Sequence, residues 1–252
     1  MEFEKLFPRL KNYEREKVDH GLSGDTVYKL KRNGNVFYLK ISSPDRKDLL
    51  EREIRNIEWL GNYLPVPKVL DVGTAESNMY VLMSEIPGIP LHLSDEKPQK
   101  LISIMADGLK LFHSVDIPNC PLNQRLEVKL AAAFDNIKKG RVNTDFFEER
   151  NRNRLPEQIY EELLKQKPDE DLVLCHGDYC LPNILVYKGK LSGFIDLGLS
   201  GVSDRYQDLA IGARSIAYNI GEKYIQQFLE EYGLENPDER KMRYYRDLDE
   251  LF

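Results

Sequence analysis

The segment HGDYCLPN at positions 176–183, followed by Asp196 just before a glycine, constrains this chain more than any other feature. Short apolar runs lie before and after the segment and again before Asp196, and they predict three short buried strands. Asp178, Asn183 and Asp196 then lie at or near strand ends. The pattern predicts a chain that folds to present two carboxylates and an amide at neighbouring strand ends.

Phosphoryl transfer from a nucleotide needs this set of side chains. One carboxylate accepts or orients the hydroxyl proton, while an asparagine oxygen and a second carboxylate hold Mg²⁺ against the phosphates. Protein kinases use H-R-D-x-x-x-x-N and D-F-G for these tasks, and this chain reads H-G-D-x-x-x-x-N and D-L-G. The spacing therefore predicts a kinase. The alternative is a surface loop in which Gly177 and Pro182 only make turns, but the flanking strands argue against it.

A kinase also needs a lysine for the phosphates. The strand-like runs 27–31 and 35–41 are joined by Asn33-Gly34, a strong signal for a tight hairpin turn. Because side chains alternate along a strand, Tyr38 and Lys40 share the face opposite the apolar set. We expect a nucleotide to lie on that face.

The helix predicted to begin at Ser43-Pro44 carries a carboxylate on its apolar face. Its apolar residues fall on one arc, namely Leu49, Leu50, Ile54, Ile57 and Leu60. Glu53 lies in the middle of this arc, and a buried carboxylate is costly unless a cation meets it. The sequence therefore predicts a Lys40–Glu53 ion pair that places the lysine on the phosphates. The alternative is a helix rotated so that Glu53 reaches water.

The segment GLSGDTV at 21–27 precedes the hairpin, where a phosphate-covering loop belongs, but it departs from G-x-G-x-x-G. Ser23 and the backbone around it are suited to donate hydrogen bonds to phosphate oxygens. An ordinary turn explains the two glycines equally well.

Four segments resemble the aminoglycoside 3′-phosphotransferases, antibiotic-resistance kinases with a protein-kinase-like fold. They are HGDYCLPN at 176–183, SGFIDLG at 192–198, DRYQDLA at 204–210 and LDELF at 248–252. The likeness runs over nearly the whole chain. The kinase motifs are shared by many small-molecule kinases, whereas the ending LDELF and the details of HGDYCLPN are more specific to the 3′-enzymes.

The resemblance implies a role for individual residues. Asp178 would be the catalytic carboxylate, and Asn183 and Asp196 would bind Mg²⁺. ATP (or GTP) would be bound by Ser23, Tyr38, Lys40, Glu53, Ser84 and Ile86, with Tyr38 on the adenine and the backbone of 84–86 at its edge. Arg214, Asp249, Glu250 and Phe252 would lie beside the aminoglycoside. Leu199 and Tyr218-Asn219 depart from many relatives, which leaves the breadth of the substrate range open.

The charge balance agrees with a cationic substrate. The chain has 42 acidic and 36 basic residues, a net charge of −6, which disfavours nucleic acid as a partner. Aminoglycosides are polyamines at neutral pH, so a carboxylate-lined cleft would attract and orient them. The candidate wall includes Asp145, Glu148, Asp249 and Glu250. A solvated helix face is the alternative for each of these residues taken singly.

The pattern as a whole predicts an α+β, protein-kinase-like, two-lobed fold. We expect residues 1–84 to form a small antiparallel-sheet lobe with one helix, 85–90 a hinge, and 91–252 a mainly helical lobe. Three cysteines without metal-like spacing suit a reducing bacterial cytoplasm. The charged start predicts no signal peptide, and no run approaches the ~18 apolar residues of a membrane span. The oligomeric state stays open.

Other functions also fit parts of the pattern. A kinase of another small hydroxyl compound, such as choline, a sugar or another antibiotic, would share the core motifs. A protein kinase is disfavoured, because nothing resembling A-P-E follows Asp196. A catalytically silent binding module with the same fold would have no need of the full set Lys40, Glu53, Asp178, Asn183 and Asp196.

Overall fold

The computed structural model describes residues 3–18 and 24–252, and the chain divides into two compact units. The first comprises Met1–Gly88 and Ser192–Gly198, and the second Ile89–Leu191 and Leu199–Phe252. The return of 192–198 to the first unit was not predicted. It is fixed by Pro65, whose carbonyl accepts the Phe194 amide at 3.0 Å and would lie 2.4 Å from a Cβ at Gly193.

The first unit is built on a five-stranded antiparallel sheet of order β1-β2-β3-β5-β4. The strands are β1 (Glu14–Val18), β2 (Thr26–Arg32), β3 (Asn35–Ser42), β4 (Val69–Ala75) and β5 (Asn78–Ser84). Asn33 and Gly34 have φ of 50° and 78°, the left-handed geometry of a primed hairpin turn. The predicted hairpin is therefore confirmed.

The apolar face of β3 packs on the short helix α1 (Phe3–Leu6) and the residues that follow it. Leu39 is fully buried there, with Phe37 and Ile41 partly buried beside it. Helix α2 (Lys47–Leu60) also belongs to this unit and contacts β4 and β5. The helix begins later than predicted, because Pro44–Arg46 forms a 3-10 turn and the Ser43 side chain makes no cap hydrogen bond.

The second unit is mainly helical. Its helices are α3 (Pro98–His113), α4 (Leu126–Lys138), α5 (Pro156–Lys165), α6 (Tyr206–Asn219), α7 (Ile225–Tyr232) and α8 (Glu239–Asp249). Two small sheets accompany them. One pairs β7 (Leu172–Cys175) with β10 (Gly201–Asp204), antiparallel, and the other has three strands in the order β6 (Ile89–Pro90), β8 (Ile184–Tyr187) and β9 (Lys190–Phe194). Strand β9 begins in this unit and ends in the first. The predicted α+β class is confirmed.

Within the described residues, none of the helices has both the length and the apolar character needed to cross a bilayer.

Candidate active site

In the first unit, Lys40 lies among three carboxylates. Its Nζ is 2.6 Å from Oε2 of Glu53, 3.6 Å from Oδ2 of Asp25 and 3.8 Å from Oδ1 of Asp196. Lys40 and Glu53 are 8% and 5% exposed, so the predicted ion pair is present and buried. Asp25 was missed by the sequence reasoning. It also accepts hydrogen bonds from Ser42 Oγ at 2.8 Å and Arg46 Nε at 3.2 Å.

These contacts set the charge state of the pair. Burial lowers the pKa of Lys40, but the attraction of Glu53, Asp196 and Asp25 outweighs it, so the pKa lies above its ordinary value. Burial also raises the pKa of Glu53, and the attraction of Lys40 offsets this only in part. The lysine therefore keeps its charge at neutral pH. The three carboxylates, Lys40 and Arg46 carry a formal net charge of −1, which favours the arrival of a divalent cation.

Asp196 is presented by an unusual backbone. It follows β9 with φ of +59°, a left-handed conformation that non-glycine residues adopt at a cost and that clusters at functional sites. Its side chain is 49% exposed. Asn56 of α2 holds the next two peptide units, donating from Nδ2 to Leu197 O at 2.7 Å and Gly198 O at 3.3 Å. The sequence reasoning did not single out Asn56.

The remaining nucleotide residues lie along the same unit. Tyr38 is half-buried on β3, with Lys29 Nζ 5.8 Å from its ring centre. Ser84 ends β5, where its Oγ accepts from the Lys68 amide and its own amide donates to Lys68 O, both at 2.9 Å. Ile86 lies beside Gly193. Ser23 falls outside the described residues.

In the second unit, the loop after β7 carries Asp178 and Asn183. Asn183 Nδ2 donates to Asp178 Oδ2 at 2.8 Å and to Asp178 O at 3.0 Å. Gly177 has φ of +90°, and a Cβ there would lie 2.1 Å from Leu199 O, so the position requires glycine. Further along the loop, Ser215 Oγ of α6 accepts the Leu181 amide at 3.0 Å.

Asp208 of α6 anchors the start of this loop through hydrogen bonds to its backbone. Its two oxygens accept the amides of His176 at 2.7 Å and Gly177 at 2.8 Å, and its Oδ2 lies 3.1 Å from His113 Nε2. Burial raises the pKa of Asp208, but His113, His176 and the Gly177 amide together hold it below its ordinary value. Asp208 is therefore a charged hydrogen-bond acceptor within the core. In the sequence, its segment DRYQDLA served only as a mark of family resemblance, so this role was not predicted.

The predicted substrate residues form pairs within the second unit. Arg214 donates a hydrogen bond to the Asp249 carboxylate. Arg246 donates two hydrogen bonds, of 2.8 Å and 2.5 Å, to the Glu148 carboxylate. The attraction of Asp249, followed by Glu148 and Asp178, outweighs burial and holds the pKa of Arg214 above its ordinary value.

The rest of the predicted acidic wall is more varied. Glu250 is buried and accepts from Asn151 Nδ2 at 2.6 Å and the Glu148 amide at 2.8 Å. Asp145 is exposed, and the Phe252 ring lies 5.7 Å from Lys129 Nζ. The expected carboxylates are therefore mostly engaged by partners of this chain, which sequence reasoning did not anticipate.

The residues predicted to bind Mg²⁺ offer suitable atoms. The amide nitrogen of Asn183 donates two hydrogen bonds to Asp178, so the amide oxygen is the atom that can bind a cation. Asp196 presents a half-exposed carboxylate. Both donors are oxygens, the atoms that Mg²⁺ prefers, and Mg²⁺ is commonly bound through one or two carboxylates together with substrate phosphates.

Comparisons with known proteins agree with this chemistry. Residues 14–245 match the model of the phosphotransferase enzyme family. The chain is 42% identical to an aminoglycoside 3′-phosphotransferase of Niallia circulans over 238 residues, covering 92% of this chain and 90% of that protein.

Solved structures agree as well. A crystal structure of an aminoglycoside 3′-phosphotransferase of type VIII matches with a TM-score of 0.88 at 29% identity, covering 97% of this chain and 96% of that chain. The aminoglycoside phosphotransferase APH(3″)-Id from Streptomyces rimosus, in complex with ADP and streptomycin, matches with a TM-score of 0.84 at 28% identity, covering 98% and 96%. The predicted kinase-like fold is thereby confirmed. The chain belongs to the phosphotransferase enzyme family and, within it, to the aminoglycoside 3′-phosphotransferases.

Proposed function

We propose that this chain transfers the γ-phosphoryl group of ATP to the 3′-hydroxyl of an aminoglycoside and so confers resistance. The observation that carries the proposal is the buried Lys40–Glu53 pair at 2.6 Å with Asp196 within 3.8 Å of the same ammonium. A lysine held in this way is the element that kinases use to grip nucleotide phosphates. Membership of a family whose 42% identical relative is named for the 3′-reaction supports the choice of hydroxyl.

Asp178 performs the proton step in this proposal. Its carboxylate orients the 3′-hydroxyl and accepts the proton as the oxygen bonds to the γ-phosphorus and the bond to the β–γ bridging oxygen breaks. Asn183 keeps Oδ2 of Asp178 in one orientation through its 2.8 Å hydrogen bond. Asp208 holds the loop that presents Asp178, so the carboxylate is positioned before the substrate arrives.

Lys40, Asn183 and Asp196 act on the phosphates in this proposal. Lys40 would contact the α- and β-phosphates, and Asn183 and Asp196 would hold Mg²⁺. The cation would neutralise the charge that develops on the phosphoryl oxygens and the leaving group. Ser23, Tyr38, Ser84 and Ile86 retain their proposed places around the nucleotide.

The substrate side of the proposal uses the acidic residues of the second unit. The ammonium groups of the aminoglycoside would bind Asp145, Glu148, Asp249 and Glu250, with Phe252 beside them. Arg214 and Arg246 hold Asp249 and Glu148 through direct hydrogen bonds, so these carboxylates keep their positions between turnovers.

We infer that the phosphoryl donor is ATP rather than GTP, because the streptomycin-bound neighbour carries ADP. We also infer a cytoplasmic location, because the three cysteines are free thiols, as suits a reducing compartment. The ratio of kcat/KM for the two nucleotides tests the first inference.

The proposed reaction is tested with Mg·ATP and three aminoglycosides, followed by mass spectrometry of the products. Kanamycin A carries the 3′-hydroxyl, tobramycin lacks it, and streptomycin tests the 3″-reaction of the structural neighbour. One phosphate added to kanamycin A, with none on tobramycin, is the expected result. Phosphorylation of both kanamycin A and tobramycin would move the reacting hydroxyl. Turnover of streptomycin alone would favour the 3″-reaction, and turnover of none would return the substrate to the other small hydroxyl compounds.

Two variants test the residue roles. Asp178→Ala is expected to abolish turnover while ADP affinity stays within about twofold, and Lys40→Ala to weaken nucleotide use. Asp135→Ala is a matched control, because Asp135 is an exposed carboxylate of α4. Turnover retained in Asp178→Ala, or normal nucleotide kinetics in Lys40→Ala, would contradict the assigned roles.

A further inference from the structure

We propose that Asn56 is a positioning residue that makes helix α2 set the direction of the Asp196 carboxylate, and with it the affinity for the metal–nucleotide complex. The inference rests on the proposed function, because it assumes that Asp196 is a metal ligand. The two hydrogen bonds that carry the inference lie within the first unit.

The amide nitrogen of Asn56 holds the backbone that follows Asp196. The side chain is 2% exposed, and its Nδ2 donates to Leu197 O at 2.7 Å and to Gly198 O at 3.3 Å. Buried amides are kept only where their hydrogen bonds are made. Two consecutive carbonyls directly after Asp196 are thus tied to the middle of a helix.

The tied carbonyls lie where the backbone is under strain. Asp196 has φ of +59°, and such conformations persist only when their surroundings over-determine them. The Leu197 side chain is fully buried and so anchors the residue that follows Asp196. Asn56 fixes the peptide planes that follow Asp196, so the chain cannot relax to negative φ without breaking both hydrogen bonds. The direction of the carboxylate is therefore set before a metal binds.

The same helix controls the lysine. Glu53 precedes Asn56 by three residues, so the two side chains lie on one face of α2, one turn apart. Glu53 fixes Lys40 at 2.6 Å, and Lys40 Nζ lies 3.8 Å from Asp196 Oδ1. A single rigid element thereby places both the ammonium for the phosphates and the carboxylate for the metal.

An amide is the residue type that this position requires. A carboxylate at 56 would face two carbonyl oxygens with no proton to donate, and a cation would compete with Lys40 for the surrounding carboxylates. A neutral donor holds the turn and leaves the charge of the site unchanged.

The test compares two neutral variants without a donor, Asn56→Leu and Asn56→Ala, with the control Asn62→Ala. Asn62 belongs to the segment that follows α2 and also donates its amide to two carbonyls, those of Glu58 and Trp59, but it is exposed and far along the chain from Asp196. ADP affinity is measured by calorimetry with and without Mg²⁺. Hydrogen–deuterium exchange of peptides covering 192–198 is followed in the metal-free protein.

We expect both Asn56 variants to weaken Mg·ADP binding about tenfold, the worth of one lost buried hydrogen bond. Binding of ADP without Mg²⁺ should change less than twofold, and exchange over 192–198 should rise before any metal is added. Asn62→Ala should change none of these. A uniform loss of affinity with and without Mg²⁺ would make Asn56 merely structural, and unchanged Mg·ADP binding would overturn the proposal.

Two further outcomes are separable. Should Asn56→Ala fail to fold, Asn56→Leu nearly keeps the side-chain volume without adding a charge and carries the test. Because none of these measurements uses an aminoglycoside, failure of the 3′-kinase assay would not affect them. Normal kanamycin turnover in the parent, with no metal-specific change in the Asn56 variants, would refute this inference alone.

Discussion

Replacing Glu53 by glutamine separates the charge of the buried ion pair from its shape. The side chain keeps its size and a hydrogen-bonding oxygen, but Lys40 loses the carboxylate that lies 2.6 Å away. Asp25 and Asp196 remain at 3.6 Å and 3.8 Å. The lysine is therefore expected to move towards these two carboxylates, and one of them is the proposed metal ligand.

The distances set the size of the effect. With an effective dielectric constant of about 20, the gross attraction is roughly 6 kcal/mol at 2.6 Å and roughly 4 to 5 kcal/mol at the two longer distances. Water screens the half-exposed Asp196 further, while Asp25 is almost fully buried. Removing one partner of a buried pair costs about 3–5 kcal/mol when the other is left alone. With Asp25 still present, we expect about 2 kcal/mol, which corresponds to a roughly 30-fold rise in the KM for ATP.

The assay follows ADP release at saturating aminoglycoside over a range of Mg·ATP concentrations, with urea unfolding measured in parallel. Glu58→Gln is the control, because Glu58 is an exposed carboxylate on the same helix. A Glu53→Gln protein that is folded and has a KM within twofold of the parent would refute the reasoning. It would mean that Asp25 and Asp196 alone suffice to place the lysine.

Three further predictions concern the second unit. Gly177→Ala should lower kcat at least ~100-fold, because the added Cβ would lie 2.1 Å from Leu199 O. The control is Gly140→Ala, which also has a left-handed backbone but lies in open space and should keep turnover near the parent value. A normal kcat in Gly177→Ala would contradict the geometry. Asp208→Asn should destabilise the protein by about 2–4 kcal/mol at neutral pH. Since the folded pKa of Asp208 lies below its ordinary 3.8, its contribution is complete above that pH and is lost as the pH falls through the folded pKa. The difference between parent and variant in denaturant titrations should therefore shrink only below about pH 4, and a difference independent of pH would exclude a charged Asp208. Burial raises the pKa of Cys175 well above its usual value, so iodoacetamide should label the partly exposed Cys120 and Cys180 first and Cys175 only after unfolding; early labelling of Cys175, read by mass spectrometry, would show that β7 opens readily.

The part of the site that could be predicted depends on local patterns. Three of its features can be read within short windows of the sequence. They are the turn at Asn33-Gly34, the alternation that places Lys40 on one strand face, and the periodicity that puts Glu53 on the apolar arc of its helix. The ion pair followed from the cost of an unpaired buried charge, a rule that needs no coordinates.

The part that could not be predicted depends on long-range contacts. Asp25 lies in GLSGDTV, but nothing in that segment indicates that its aspartate contacts Lys40. The Asn56 amide reaches carbonyls 141 and 142 positions away. An asparagine on a helix has no sequence signal that distinguishes a solvated side chain from one that holds a distant loop. The same holds for Glu148 and Asp249, whose arginine partners lie 98 and 35 positions away. Charge counts predicted an acidic wall but not which carboxylates were already occupied.

Each unit holds its functional loop by the same physical device with opposite polarity. In the second unit, Asp208 of α6 is an acceptor and holds two successive backbone N–H groups, beside a glycine with φ of +90°. In the first, Asn56 of α2 is a donor and holds two successive carbonyls, beside an aspartate with φ of +59°. The choice of side chain follows from which backbone groups the turn leaves pointing at the helix, because N–H groups need an acceptor and carbonyls need a donor. A left-handed backbone costs free energy in both places, and a buried polar side chain on a rigid helix is what keeps it from relaxing. Asn at 208 would bring an N–H donor against backbone N–H groups, and Asp at 56 would bring an acceptor against backbone carbonyls. Each exchange should therefore damage its loop more than the change of charge alone would suggest.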